Sequence, residues 1–245
     1  MRMPVAGNPA ANAPLMAAIV EASDHLIMVD TGFPGELELL ETLEALHFYP
    51  EDFTEVLNTH VHVDHIGNNT AFKNARIIAS RVDFHYMGKY YFDIVHVKNP
   101  VEVLQRYFPH SNTKRIDLAA KHSRRLAEQH WREELLGDIH RIEWIEDHPP
   151  VPPFVEFVRT PGHTPGHYAI VLHGEQRNMM LCGDAMPSRL FWRRQLYELT
   201  PRYDTTLFQH SKAKVDEFEG IILGGHDLPF DSETGNYLDQ LPITI

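Results

Sequence analysis

Three imidazoles and one carboxylate crowd into His60-Val61-His62-Val63-Asp64-His65, directly after the short apolar strand expected over Glu55 to Asn58. In an extended stretch His60 and His62 alternate, so their side chains can point the same way. Asp64 and His65 fall where the chain turns at Ile66-Gly67, which lets them face a neighbouring position. One short loop can then furnish ligands to two metals rather than one. Imidazole and carboxylate are the ligands that zinc and similar first-row ions prefer. A solvated histidine-rich loop is the alternative, and four candidate ligands in six residues at a strand end leave it little room.

Three later segments extend the set. Thr160-Pro161-Gly162-His163-Thr164-Pro165-Gly166-His167 is punctuated by Gly and Pro into a tight, rigid turn that would hold His163 in place. Leu181-Cys182-Gly183-Asp184 ends an apolar run with a carboxylate, and Leu223-Gly224-Gly225-His226 ends another with an imidazole. Taken singly, His163 reads equally as a turn residue, Asp184 as a helix N-cap and His226 as a satisfied surface histidine. Together, each at the end of a strand-like run, they are far more specific.

The elements that must position these residues are readable from apolar periodicity. Strands are expected over Leu15 to Ala22 and His25 to Val29, with a Ser23-Asp24 turn between them, and over Arg76 to Ser80. Leu37, Leu40 and Leu43 recur at helical spacing within Glu36 to Leu46. Another helix is expected near Arg81 to Lys89. From Phe92 to about Gly137 the chain is rich in charge and histidine, with helices near Pro100 to Tyr107 and Leu118 to Leu136. After the proline-rich 147–153 run come strands over Phe154 to Arg159, Tyr168 to His173 and Asn178 to Cys182. A helix over Asp204 to Phe218 and a buried strand over Ile221 to Leu223 follow. This order predicts one domain over 1–245, of two facing sheets with helices outside, carrying a helical insertion at 93–137. The insertion is the candidate for a substrate-side cap or an oligomer contact.

Composition narrows the partners. Of 245 residues, 22 are Lys or Arg and 34 are Asp or Glu, a net charge of −12 that disfavours a nucleic-acid backbone as the main partner. The single cysteine, Cys182, rules out an internal disulfide framework and a thiolate zinc finger. It reads as a small buried strand residue. No stretch approaches the ~20 apolar residues of a spanning helix, and Met1 to Pro14 has no apolar run of signal-peptide length. The expectation is a cytoplasmic protein with a small-molecule substrate and no membrane, able to form a homodimer.

The ordered set His60-x-His62-x-Asp64-His65, His163, Asp184 and His226 resembles the full ligand set of the metallo-β-lactamase superfamily, over most of the chain from Asp30 to Asp227. The resemblance implies an α/β fold, a four-layer αβ/βα sandwich with two metals at the upper edges of its sheets. Carried over by position, His60, His62 and His163 would hold the first metal, Asp64, His65 and His226 the second, and Asp184 would bridge them. Asp30-Thr31-Gly32 resembles the family's structural Asp motif. His167 lies outside the set and would orient its neighbours. No other cofactor is implied. Two divalent ions are expected, with Zn2+ first and Fe, Mn or Co also accepted by such ligands.

Two metals sharing a carboxylate can share a water, lower its pKa and present hydroxide to an electrophilic carbonyl or phosphorus, so hydrolysis is the default reaction. Asp64 is the expected catalytic residue, orienting the nucleophile or carrying a proton to the leaving group. His62 stands where the flavodiiron branch has glutamate, and the complete second set argues against single-iron persulfide dioxygenases. His163-Thr164-Pro165-Gly166-His167, Gly183-Asp184-Ala185 and Gly225-His226-Asp227 resemble the N-acyl homoserine lactonase branch, as does Ile77-Ile78-Ala79-Ser80-Arg81. A lactone or other small carboxylic ester is therefore the expected substrate. A glyoxalase-II-like thioesterase, a phosphodiester nuclease and a non-catalytic metal-stabilised interaction protein are the alternatives. A β-lactamase would need Arg189 or Arg193 to hold the substrate carboxylate. One departure stands out: Pro187 occupies the position, three residues after the bridging Asp, where those lactonases have a tyrosine. Tyr197, Trp192 and Tyr168 are candidate replacement donors. The aromatic stretch Phe84 to Phe92 reads either as an acyl pocket or as core packing. Phe191-Trp192-Arg193-Arg194 reads either as a substrate lip or as a solvated helix end.

Overall fold

The computed structural model describes residues 5–8, 13–22, 24–35, 37–110, 116–195, 202–238 and 242–245. Short runs of β-branched and other apolar residues build two five-stranded sheets. The first has the order β3 (Ala18–Ala22), β4 (His25–Val29), β5 (Glu55–Leu57), β6 (Arg76–Ala79), β7 (Ile142–Trp144). β3 runs antiparallel to β4, and the other pairings are parallel. The second sheet is built of β8 (Val155–Arg159), β9 (Tyr168–Leu172), β10 (Met179–Gly183), β11 (Ile221–Gly224) and β12 (Phe230–Asp231), adjacent in that order. Only its β10–β11 pairing is parallel. β1 (Val5–Asn8) and β2 (Ala13–Met16) form a separate antiparallel pair.

Alternation along the strands creates the layers. Ala18, Val20, Ile27, Val29, Leu57 and Ile78 face Ile170, Leu172, Met179, Leu181, Ile221 and Leu223 in one buried cluster between the sheets. The intervening Ile19, Met28, Val56 and Ile77 turn outward onto helices α1 (Leu37–Ala45), α3 (Arg81–His96), α4 (Pro100–Tyr107) and α5 (Ile116–His130). On the far side Val171, Met180, Cys182 and Ile222 pack with Val215 of α6 (Thr205–Asp216). Strands buried on both faces must be apolar throughout, which is why they read as short continuous runs. The result is the four-layer α/β sandwich that the sequence predicts.

Several boundaries differ from expectation. The strand expected over Leu15 to Ala22 is two strands broken at Ala17, because the Met16 amide is drawn across to donate to the Gly225 carbonyl (3.0 Å). The helix expected to stop near Lys89 continues to His96, so residue 93 lies inside α3 rather than at an element boundary. The helix expected over Leu118 to Leu136 ends at His130, and a separate 3-10 turn covers Glu133–Leu136. Strand β7, only three residues long, gives no periodicity to read. Among the described residues no helix is long and apolar enough to cross a membrane.

The parallel strands place the functional residues. Asp30 follows β4, residues 58–62 follow β5, Asp184 follows β10 and His226 follows β11, so all emerge at carboxyl ends of strands on one edge of the sandwich.

Candidate metal centre

The motif residues leave β5 in extended conformation as far as His62, and Val63–Ile66 then form one helical turn, α2. That change of conformation splits the motif. His60 Nε2 and His163 Nε2 approach His62 Nδ1 at 2.9 and 3.0 Å. Asp184 joins these three imidazoles in one group whose ligand atoms lie within 4.8 Å of one another. Asp64, His65 and His226 form a second such group. Asp184 faces both: its Oδ2 lies 3.3 Å from His163 Nε2, and its Oδ1 lies 3.2 Å from His226 Nε2 and 3.6 Å from His65 Nε2. All seven expected ligands therefore come together, although His163, Asp184 and His226 are far from the motif in sequence.

Hydrogen bonds fix which ring nitrogen His60 and His65 turn to the cluster. Asp30, at positive φ (53°), accepts from the Thr59 amide (2.9 Å), from Thr59 Oγ1 (2.8 Å) and from His65 Nδ1 (2.8 Å). The Thr59 hydroxyl proton is thus committed to Asp30, so Thr59 Oγ1 accepts from His60 Nδ1 (3.1 Å). Both rings thereby turn Nε2 towards the cluster, the nitrogen that binds metal once it carries no proton. His167 is held differently. Its Nε2 accepts from the Asp184 amide (3.1 Å) and its Nδ1 donates to Thr160 Oγ1 (2.8 Å), so both nitrogens are used and it orients Asp184 rather than joining either group. Gly225 is required by close approach, since a Cβ there would meet Asp184 Oδ1 at 2.4 Å.

The charge pattern is asymmetric. Burial pushes His60 well below the usual imidazole range, aided by the surrounding histidines. Burial and the neighbouring His163 push His62 down to about 3. Burial also opposes charge on His65 and His226, but there the carboxylates win: Asp30, Asp64 and Asp184 lift His65 to about 10, and Asp184 with Asp64 lifts His226 to about 9. Asp184 is held well below the carboxylate range against its own burial, by His226 and His163 first. His65 Nε2 is buried without a hydrogen-bond partner, and Asp184 Oδ1, equally buried, has only the His226 and His65 rings beside it. Buried polar atoms are rarely left so. A cation between that nitrogen and that oxygen would satisfy both, and the donor set of imidazole and carboxylate suits a divalent first-row ion.

Other expected contributors lie elsewhere. Pro187 uses its carbonyl to accept from the His226 amide (2.8 Å), so it braces a ligand group. Trp192 packs on Phe230 in the outer cluster of the second sheet. The Tyr168 ring meets Phe157 edge-on. Tyr197 falls outside the described residues. The Arg193 amide donates to Asp216 Oδ1 (2.9 Å) at the far end of α6, whose opposite end meets the His163 loop through the bond from the Asp204 amide to the Gly162 carbonyl (3.1 Å). A 12-residue helix is about 18 Å long, so Arg193 is not a lip of the cluster. Arg189 is turned onto the Gly235 carbonyl (2.8 Å) and over the Tyr237 ring (4.2 Å).

Within the Phe84 to Phe92 stretch, Phe84, Tyr90 and Tyr91 are core, and Phe92 is exposed. Tyr90 meets Phe108 (5.0 Å), Tyr91 is hydrogen-bonded to the Val63 backbone within the motif, and the half-buried Tyr86 also links to the site. Its ring meets Tyr203 (5.2 Å) and Phe108 (6.5 Å), and Phe108 lies 6.1 Å from the His62 ring. Phe108 and Tyr203 carried no sequence signal, since a lone aromatic in a loop has no pattern. Asp83 was missed too. It is fully buried and accepts from the Val61 amide, Thr164 Oγ1 and the Gly166 amide, each at 2.9 Å. Ser80 with Asp83 three residues on does read as a helix-capping pattern, and Ser80 Oγ accepts from the Asp83 amide (3.2 Å), but a cap says nothing about where the carboxylate goes.

A sequence profile described as the metallo-beta-lactamase superfamily matches residues 16–242. An N-acyl homoserine lactonase of Bacillus thuringiensis is 23% identical over 244 residues, covering 89% of this chain and 82% of its own length. An N-acyl homoserine lactonase of a Bacillus sp is 24% identical over 192 residues, with 69% of this chain and 62% of the relative's length covered. Among solved structures, AidC, a dizinc quorum-quenching lactonase in complex with a product, aligns with a TM-score of 0.61 at 18% identity, over 88% of this chain and 73% of that one. At that identity the structural likeness is one of fold.

Proposed function

The chain belongs to the metallo-beta-lactamase superfamily and is a metal-dependent hydrolase, and on that premise we propose that it opens a lactone or another small carboxylic ester at a pair of divalent ions, zinc first among them. The observation that carries this reading is the shared carboxylate, Asp184, with one oxygen towards each of two ligand groups. In this reading His60, His62 and His163 hold one ion, Asp64, His65 and His226 hold the other, and Asp184 serves both. Such a pair, when bound, supplies Lewis acidity that brings the pKa of water towards neutrality.

The protein's own groups do the rest. Asp64 is the more exposed of the two carboxylates, with a side chain 23% accessible against 10% for Asp184. Its Oδ2 faces His226 and His65 at 3.9 and 4.0 Å. Burial raises its pKa, but His65 and His226 outweigh that and keep it ionised. In this reading its ionised carboxylate orients the attacking water or relays a proton to the departing alkoxide. In this reading the half-buried rings of Tyr86 and Tyr203, backed by the buried Phe108 beside His62, flank the site on the side an acyl group would take. The lactone choice is supported by the names of the relatives and by the loop wording around His163, Asp184 and His226. Acid release by zinc-loaded protein from N-acyl homoserine lactones, simple lactones, a thioester, a β-lactam and a phosphodiester tests it. Lactone turnover is expected; silence there with turnover of the thioester or phosphodiester would overturn the substrate class and leave the centre standing.

The two ligand groups should also load differently with pH. His65 and His226 have raised pKa values, about 10 and 9, so both are protonated at pH 7 without metal and an incoming ion must displace their protons. His60 and His62 are already neutral there. Occupying the second group at pH 7 should release about two protons, with affinity rising as pH climbs towards 9, while His60 and His62 of the first group should release almost none. Calorimetric titrations in buffers of different ionisation enthalpy measure this; proton-neutral binding of both ions would contradict it.

A further inference from the structure

The two sheets have separate hydrogen-bond ladders, yet one ligand group draws on both. His60 and His62 leave the first sheet on the loop after β5, while His163 sits in the loop between β8 and β9 of the second. Strand pairing does not set the spacing between those loops, and one backbone bond, from the Tyr168 amide to the Thr59 carbonyl (2.9 Å), ties them only at their base. Asp83 joins them. One of its oxygens accepts from the Val61 amide, between His60 and His62, and from the hydroxyl of Thr164, next to His163. The other accepts from the Gly166 amide, between His163 and His167. The carboxylate is itself anchored to the first sheet's helix. Ser80 caps that helix, Ser80 Oγ donates to Glu146 Oε1 (2.7 Å), and the Arg81 amide donates to Glu146 Oε2 (3.0 Å).

We propose that Asp83 is a positioning residue that sets the metal affinity of the His60–His62–His163 group, by clamping the two loops that carry it. This role rests on the metal-site reading above. An ionised carboxylate has only acceptors, so it can serve all three donors at once. An amide in its place would turn an N–H2 against at least one donor and release one loop. The ligand nitrogens would then spread, because the two loops would be tied only at their base, by the bond from the Tyr168 amide to the Thr59 carbonyl (2.9 Å), and not at the segments that carry His62 and His163. Groups that orient metal ligands from behind typically change metal affinity by about 10–100-fold when removed.

The test uses a His226→Ala background, in which the second ligand group is disabled and a single Co2+ reports on the first. Co2+ affinity by chelator competition and the visible absorption of the bound ion are compared for Asp83→Asn, Thr164→Val and Thr164→Ser. Asp83→Asn and Thr164→Val should weaken Co2+ about tenfold or more and alter its spectrum, while Thr164→Ser, which keeps the hydroxyl, should restore both. If Asp83→Asn does not fold, the Thr164 pair decides alone. Affinity and spectrum unchanged in Asp83→Asn or Thr164→Val, with only a lower Tm, would overturn the clamp and leave a merely structural brace. A parent chain that binds no Co2+ would overturn the metal-site reading, and the clamp's role with it.

Discussion

Asp184→Ala is expected to strip metal from the protein and to lower hydrolysis about 10³-fold or more, both together. Its two oxygens lie within 3.6 Å of three imidazoles that belong to two different ligand groups. Truncation takes an anionic ligand from each group at once. It also removes the counter-charge that lifts His226, so that ring would lose part of its hold on a proton. The backbone should survive, because the Asp184 amide still donates to His167 and no apolar volume leaves the core. Metal content by elemental analysis, acid release and Tm, measured on the same preparation, separate these effects. A fully metallated, fully active variant would remove Asp184 from the centre.

Asp64→Asn should separate chemistry from metal holding. The amide is isosteric, so α2 and its neighbours need not move. His60, His62, His163 and Asp184 remain intact, and the first ion should stay bound. What is lost is an ionised oxygen that can take up a proton, a contribution of about 10²–10⁴-fold in rate when such a group acts in the transition state. The loss should fall on kcat more than on KM, since no contact with the bulk of the substrate is removed. A variant retaining most of its kcat at neutral pH would assign Asp64 to metal holding alone. A variant that loses all metal would show instead that Asp64 is needed to assemble the centre.

Much of the centre was legible in the chain. His60 and His62 share a side because extended backbone alternates with period two, and that rule is local. The short apolar runs ending in Gly-Asp, Gly-His or a Gly/Pro turn marked strand ends, and buried strands of an α/β sandwich place such ends along one edge. Residue type and position therefore sufficed for the seven ligand candidates and for the layered architecture. The side-chain roles beyond them were not encoded in that way. Trp192 and Arg193 follow Asp184 closely in sequence, yet the chain carries Arg193 to the far end of α6. Pro187 acts through its backbone carbonyl, which residue identity does not announce.

Tertiary structure alone also decided how identical residues differ. His60 and His65 are five apart in one motif, yet burial among imidazoles lowers the first and Asp30, brought from 35 residues away, raises the second. Asp83 reaches backbone and hydroxyl donors 22 to 83 positions distant. Ligand spacing is a short-range property of the backbone and can be read along the chain. Electrostatic environment and loop-to-loop registration are set by which distant groups folding brings within hydrogen-bond reach, and no local pattern records them.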